Sequence, residues 1–372
     1  TKSSTPWSTG CGPEMHYLVY GAGAVGGYLG ASLSLAGMPV TFYDRPEVAE
    51  SLGRSGLTLE RAGIARRLPA PAVVTDLARL LPPPEVVILA VKAYDCAAAA
   101  ETLRRALAPD VPVVCVLNGI GNEATLAAAL GSGRVIAASL TSAIQRVEGG
   151  VLRVEKARGI GLHAGHPLSA SVCADLGVAG LKPRLYRDAD GLKWSKLLTN
   201  LVANATSAIL DTSAEARFRH RGLYRLEVEA LRETVRVMRA LGLRPVNLPG
   251  VPAGLLAAAV FLPDILTHPI LRRAAASGRG EKRPSFAYDV GRGRSEIGWL
   301  NGAVVAHAAR LTIPAPANGV LTELLTALVE GRREPGSLRG QPVRLLAEAA
   351  RAGVPGLKGY NPDAPSPIGS KP

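Results

Sequence analysis

Tyr17-Leu18-Val19-Tyr20-Gly21-Ala22-Gly23-Ala24-Val25-Gly26-Gly27-Tyr28-Leu29-Gly30-Ala31 decides the fold. Residues that suit a strand run straight into Gly21-x-Gly23-x-x-Gly26, and a small-residue apolar helix follows. A dinucleotide-binding fingerprint needs this strand–turn–helix context. Gly21 permits the tight turn, Gly23 lets backbone approach a pyrophosphate, and Gly26 lets the helix pack on the strand. The helix N-terminus offers unpaired N–H groups and a positive dipole end to phosphates. Gly21, Ala22, Gly23, Ala24, Val25 and Gly26 are therefore the expected cofactor-binding turn.

Beyond it, Gly37 can end the helix, and Val40-Thr41-Phe42-Tyr43 reads as a second strand closing on Asp44-Arg45. An acid at this place binds the ribose 2′-OH of NAD, whereas an arginine accommodates the 2′-phosphate of NADP. The chain has both, so spacing leaves the choice open. Residues 57–59 and 72–74 read as short strands. The run Val86 to Val91 has the continuous apolar character of a buried parallel strand and ends at Lys92. Val113 to Leu117 repeats it and ends at Asn118-Gly119. A doubly wound sheet binds its ligand outside the carboxyl ends of its strands, which makes Lys92 and Asn118 site candidates. Strands at 135–142, 151–154, 159–162 and 182–186, with a helix near 167–176, complete a first domain over 15–187.

From Asp190 the period becomes helical. Gly191 to Leu210 reads as one apolar helix interrupted by Lys193, Lys196, Asn200 and Asn204, of which the last three fall on one stripe at four-residue spacing. Such polar groups are costly against a core and suit a polar cleft. There a lysine can donate a proton and carboxamides can hold hydroxyl and carboxylate oxygens. A long amphipathic helix is expected over 223–241, and short proline-bounded helices over 249–269. Ser285 precedes a helix through Asp289. Ser295 is a plausible N-cap for a helix running to about 311. Glu296, in its first turn, reads either as an acid complementing the helix dipole or as a catalytic carboxylate. The helical domain spans 188–355. Residues 1–14 read as a disordered extension before Met15, without the pattern of a signal peptide, and 356–372 as a disordered tail.

The composition fits this division. Of 372 residues 47% are hydrophobic but only 4% aromatic, so the core is built from Ala, Leu and Val. The net charge of +13 comes from scattered arginines without aromatic interleaving, which argues against nucleic acid and for anionic small ligands. The 4 cysteines form no CxxC pair and the 6 histidines no ligand-spaced cluster, so no metal site is expected. No apolar run reaches the ~18 residues of a membrane span. A cytoplasmic location is expected.

In order and spacing, one set of motifs resembles the ketopantoate reductase (2-dehydropantoate 2-reductase) family. It comprises Gly21 to Gly27, Val91-Lys92 and Asn118-Gly119-Ile120-Gly121-Asn122-Glu123. Lys193-Trp194-x-Lys196-Leu197-x-x-Asn200-x-x-x-Asn204 and Ser295-Glu296-Ile297-x-x-Leu300-Asn301-Gly302 complete it. The resemblance implies α/β architecture: an N-terminal Rossmann-type parallel-sheet domain, then an all-α C-terminal domain, with the active site between them. It implies NADPH-dependent reduction of 2-dehydropantoate to pantoate, towards pantothenate and coenzyme A. By position, Lys196 resembles the catalytic lysine and Glu296 the active-site glutamate. Asn118, Asn200, Asn204 and Ser285 resemble substrate-contacting residues, Arg45 the 2′-phosphate arginine and Lys92 the cofactor-side lysine. The chain departs from the usual Thr-Glu-Ile-Asp in reading Ser295-Glu296-Ile297-Gly298, and Asp44 stands where many members are neutral, so NADH stays open. The expected partner is a small 2-oxo acid, with neither nucleic acid nor membrane, and the expected assembly a homodimer. The alternatives are a reductase of another branched 2-oxo acid and a non-catalytic NADP-binding regulator.

Overall fold

The computed structural model describes residues 15–212, 220–269 and 292–357, together with Leu271, Phe286, Asp289 and Val290. In chain order the strands are β1 (Tyr17–Tyr20), β2 (Val40–Tyr43), β3 (Leu57–Arg61), β4 (Ile64–Leu68), β5 (Ala72–Val74) and β6 (Val86–Leu89). They continue with β7 (Val113–Cys115), β8 (Val135–Leu140), β9 (Ala143–Arg146), β10 (Val151–Lys156), β11 (Ile160–His163) and β12 (Pro183–Tyr186). Eight of them form one sheet, ordered β12-β11-β8-β7-β6-β1-β2-β5. All pairings in it are parallel except β11 with β8. β1 and β6 lie at the centre, which explains why Val86-Val87-Ile88-Leu89 is apolar without alternation: both faces are covered.

Helix α1 (Ala24–Leu35) packs directly on this centre. Its Gly30 is needed there, because a Cβ would come within 2.5 Å of the Phe42 ring. On the other face lie α3 (Cys96–Ala106) and α4 (Asn122–Leu130), and α2 (Pro46–Ser55) follows β2. A second sheet, β4-β3-β10-β9, covers the outer side of α1. It was not foreseen as a separate layer. β4 is largely exposed, with arginines at 66 and 67, so no half-buried alternation marks it in the sequence.

After α5 (Ser169–Val178) and β12 the chain turns helical. Where one helix was expected over 191–210, there are two, α6 (Ala189–Leu201) and α7 (Ala205–Leu210). Val202 leaves helical geometry and Ala203 adopts a left-handed φ of 51°. Buried Glu227 holds the break: it accepts the Ala203 N–H at 2.9 Å and the Thr206 hydroxyl. The single stripe of Lys196, Asn200 and Asn204 is thereby corrected. Only the first two share a helix, and Asn204 starts the next one, buried.

Glu227 belongs to α8 (Arg221–Ala240), the central helix of this domain. Further helices among the described residues include α9 (Ala253–Ala259), α10 (Asn301–Arg310), α11 (Pro316–Val329) and α12 (Pro342–Arg351). The helix expected from Ser295 is likewise broken: a 3₁₀ turn at Ile297–Trp299 precedes α10, with Leu300 out of helical geometry. Ser295 does cap that turn, accepting the Ile297 N–H at 3.2 Å. Leu357 is buried in the helical core, so the structured domain runs past the expected end at 355; residues 1–14 and 358–372 lie outside the described residues. Among the described residues, no helix is long and apolar enough to cross a membrane.

α8 also carries Glu233, which accepts the Ala317 and Asn318 N–H groups at 2.7 and 2.9 Å and so caps α11. Burial raises its pKa to about 7 against those hydrogen bonds, which act to lower it. Between the ordinary carboxyl pKa and 7 the folded chain keeps a proton that the unfolded chain has lost. This group's contribution to stability therefore falls as pH rises through that window. Thermal unfolding should show a lower midpoint at pH 8 than at pH 5, and Glu233→Gln should flatten that slope.

Candidate active site

The fingerprint has the geometry of a phosphate cradle. Gly21 sits at φ +97° with Ala90 O only 3.0 Å from where a Cβ would be, so an L side chain is strained there twice over. A Cβ on Gly26 would fall 1.9 Å from Gly21 O, which fixes the close turn. At Gly23 a Cβ would meet nothing within 4 Å, so this side of the turn is open to a ligand. The first turn of α1 carries no acid to repel an anion. These residues fit a dinucleotide.

Asp44, at the end of β2, lies against the turn. Its Oδ2 accepts the Ala22 N–H at 2.7 Å and its Oδ1 the Arg45 N–H at 2.8 Å. Arg45 turns its side chain to solvent, 4.0 Å from the Asp44 carboxylate. Arg146, which the sequence did not single out, donates to Ala22 O at 3.0 Å.

The ends of β6 and β7 meet the helical domain. Lys92 Nζ lies 2.7 Å from Glu296 Oε2, and the Ala93 N–H donates to Glu296 Oε1 at 3.1 Å. Glu296 is buried while Lys92 is half exposed. Burial acts to lower the Lys92 pKa, but Glu296, with smaller help from Asp289 and Tyr94, outweighs it, so the ammonium stays above its ordinary value. Asp289 is pushed up by burial and by Glu296, with Lys92 opposing, and accepts the Ser295 hydroxyl at 3.1 Å. Arg294 closes the rim, 3.0 Å from Asp95 and stacked 4.2 Å from the Tyr94 ring centroid.

Asn118, just beyond β7, accepts from Asn200 Nδ2 at 3.0 Å. Lys196 stands one helical turn before Asn200 on α6, half-buried. The next residues of the β7 loop touch the Glu296 segment: the Ile120 N–H donates to Trp299 O at 2.9 Å. The structure thus brings Lys92 to Glu296 and Asn118 to Asn200, and links the two pairs through the 118–120 loop. Asn204 lies past the helix break, and Ser285 lies outside the described residues.

Lys193 lies off the stripe of Lys196 and Asn200. It is buried, and its Nζ reaches Leu117 O at 2.5 Å, Ala138 O at 3.3 Å and Glu123 Oε1 at 2.8 Å. Burial acts to lower its pKa, yet Glu123 outweighs that and the ammonium titrates above its ordinary value. The signal in the sequence is a second lysine on the apolar helix, off the stripe that Lys196 begins.

The family profile "Ketopantoate reductase PanE/ApbA" matches residues 17–164, and its C-terminal counterpart matches residues 188–329. The chain belongs to the ketopantoate reductase family. A 2-dehydropantoate 2-reductase of Pyrococcus horikoshii is 27% identical over 319 residues, covering 84% of this chain and 97% of its own. One from Halobacterium salinarum is 27% identical over 323 residues, covering 84% and 98%. A PanE/ApbA family ketopantoate reductase of known structure from Ralstonia eutropha JMP134 aligns with TM-score 0.72 at 29% identity, covering 86% of this chain and 99% of its own. D-mandelate dehydrogenase solved with NADH and anilino(oxo)acetate aligns with TM-score 0.71 at 18% identity, covering 85% and 99%, and shares the fold. Membership makes the chain an oxidoreductase that works with a nicotinamide cofactor.

Removing one partner of a buried ion pair costs about 3 kcal/mol or more, because the other charge is left uncompensated. Lys193→Met should lower unfolding free energy by that order in urea titrations. Adding Glu123→Gln should restore part of the loss.

Proposed function

We propose that the chain reduces 2-dehydropantoate to pantoate with NADPH, a step towards pantothenate and coenzyme A, in the cytoplasm. The observation that carries this reading is the meeting of Lys92 with Glu296 and of Asn118 with Asn200, beyond β6 and β7 and on the same side of the sheet as the fingerprint. A bound nicotinamide supplies the hydride for the C2 carbonyl carbon. Negative charge then grows on the carbonyl oxygen, and the Lys196 ammonium donates a hydrogen bond and finally the proton. Asn200, anchored on Asn118, orients the carboxylate and carbonyl. Glu296 has one bond on each oxygen, from Lys92 and Ala93, and keeps lone pairs to accept a substrate hydroxyl. The family resemblance adds Asn204 and Ser285 as substrate contacts.

For the cofactor, the Arg45 side chain is exposed at the end of β2, the position from which an arginine can meet a 2′-phosphate. This supports NADPH. The working unit is proposed to be a homodimer. Leu255, Phe261, Leu262, Ile265 and Leu266 leave apolar surface exposed on the helical domain for such a contact.

NADPH oxidation followed by absorbance should respond to 2-dehydropantoate over other branched 2-oxo acids. Turnover with none of them, despite tight NADPH binding, would leave a non-catalytic NADP-binding protein. Lys196→Ala should lower kcat by about 100-fold or more, the usual size of a general-acid contribution. Arg45→Ala should raise KM for NADPH while leaving that for NADH unchanged. A wild-type preference for NADH would instead assign the ribose to Asp44.

A further inference from the structure

The fingerprint turn has no cation of its own. From Gly21 to Pro39 the chain contains neither lysine nor arginine. A diphosphate seated there would have only backbone N–H groups and the α1 dipole to meet its charge, if the turn worked alone.

Arg146 reaches the turn from another layer. It is the last residue of β9, in the second sheet, and is in register with Leu152 on β10. Leu152 packs on the start of α1, so closely that a Cβ on Gly27 would come to 2.9 Å from its Cδ1. This contact holds the end of β9 beside the fingerprint. Arg146 Nη1 then donates to Ala22 O at 3.0 Å. The following residue is Gly23, where the turn is open.

A clip for one carbonyl needs one donor and no charge. The guanidinium has five donors in a fixed fork that suits phosphate oxygens, and this side chain is exposed. Among the described residues it has no carboxylate partner, unlike Arg153 on the adjoining strand, which pairs with Glu60 at 2.7 Å. Ala22 is meanwhile fixed from the other side, its N–H held by Asp44.

We propose that Arg146 binds the diphosphate of the dinucleotide, supplying from the second sheet the positive charge that the glycine turn lacks. The proposal rests on the reading of the fingerprint as a nicotinamide dinucleotide site, and it is independent of the substrate. Because the diphosphate is common to NADH and NADPH, Arg146 strengthens both equally, unlike Arg45.

The test is cofactor binding, measured by nucleotide fluorescence on the full chain without substrate. Arg146→Gln keeps a donor for Ala22 O and removes the charge. Its dissociation constants for NADPH and NADH should both rise about tenfold, the worth of one charge-assisted hydrogen bond. The salt dependence of binding should weaken as well. Arg146→Lys should retain most of the affinity. Wild-type affinity in Arg146→Gln would overturn the proposal, as would a loss confined to NADPH. Equal losses in the Gln and Lys variants together with a lowered melting temperature would mark a structural clip and also overturn it. Failure of the unaltered protein to bind either nucleotide is a separate result, which removes the cofactor reading and this proposal with it.

Discussion

The ammonium of Lys193 sets the relation between the two halves of the molecule. A buried charge is tolerated only where it is paired and its donors are used. Lys193 meets that condition with Glu123 and with the carbonyls of Leu117, just past β7, and Ala138, within β8. Helix α6 is therefore pinned by its first half to the carboxyl edge of the sheet. Lys196 and Asn200 follow on the same helix, so they arrive at that edge as a consequence, and Asn200 meets Asn118 one residue beyond Leu117.

The helical domain is organised by a comparable device used repeatedly. α8 buries Glu227, Glu229 and Glu233. Glu227 holds the break before α7, Glu233 caps α11, and Glu229 pairs with Arg236 at 2.6 Å. A core of Ala, Leu and Val packs without much shape of its own. Glu227 and Glu233 specify where the neighbouring helices begin, because an orphan N–H group in an apolar interior is costly.

Much of this was legible in the sequence. The fingerprint, the apolar runs ending at Lys92 and Asn118, and the change to helical period define the α/β-then-α architecture from local pattern alone. Lys196 and Asn200 stood out because polar residues on an apolar helix demand a reason. What was not legible depends on distant partners. The break after Leu201 follows from Glu227, more than twenty residues away, and nothing near Ala203 announces a left-handed residue. The contact of Glu296 with Lys92 joins positions 204 residues apart. β4 and β9 have too few buried positions to leave a periodic signal, so the second sheet and Arg146 stayed hidden with them.

The bond from Ile120 N–H to Trp299 O joins the domains through backbone on both sides. Exchange of either side chain leaves donor and acceptor in place, proline at 120 excepted. This part of the seam is thus buffered against sequence drift at the very residues that form it. The constraint has been moved to a neighbour: Gly119 sits at φ +88°, and a single methyl there would stand 2.5 Å from the Trp299 carbonyl oxygen. Variation can accumulate at 120 and 299 while one silent, side-chain-free position carries the intolerance for all three.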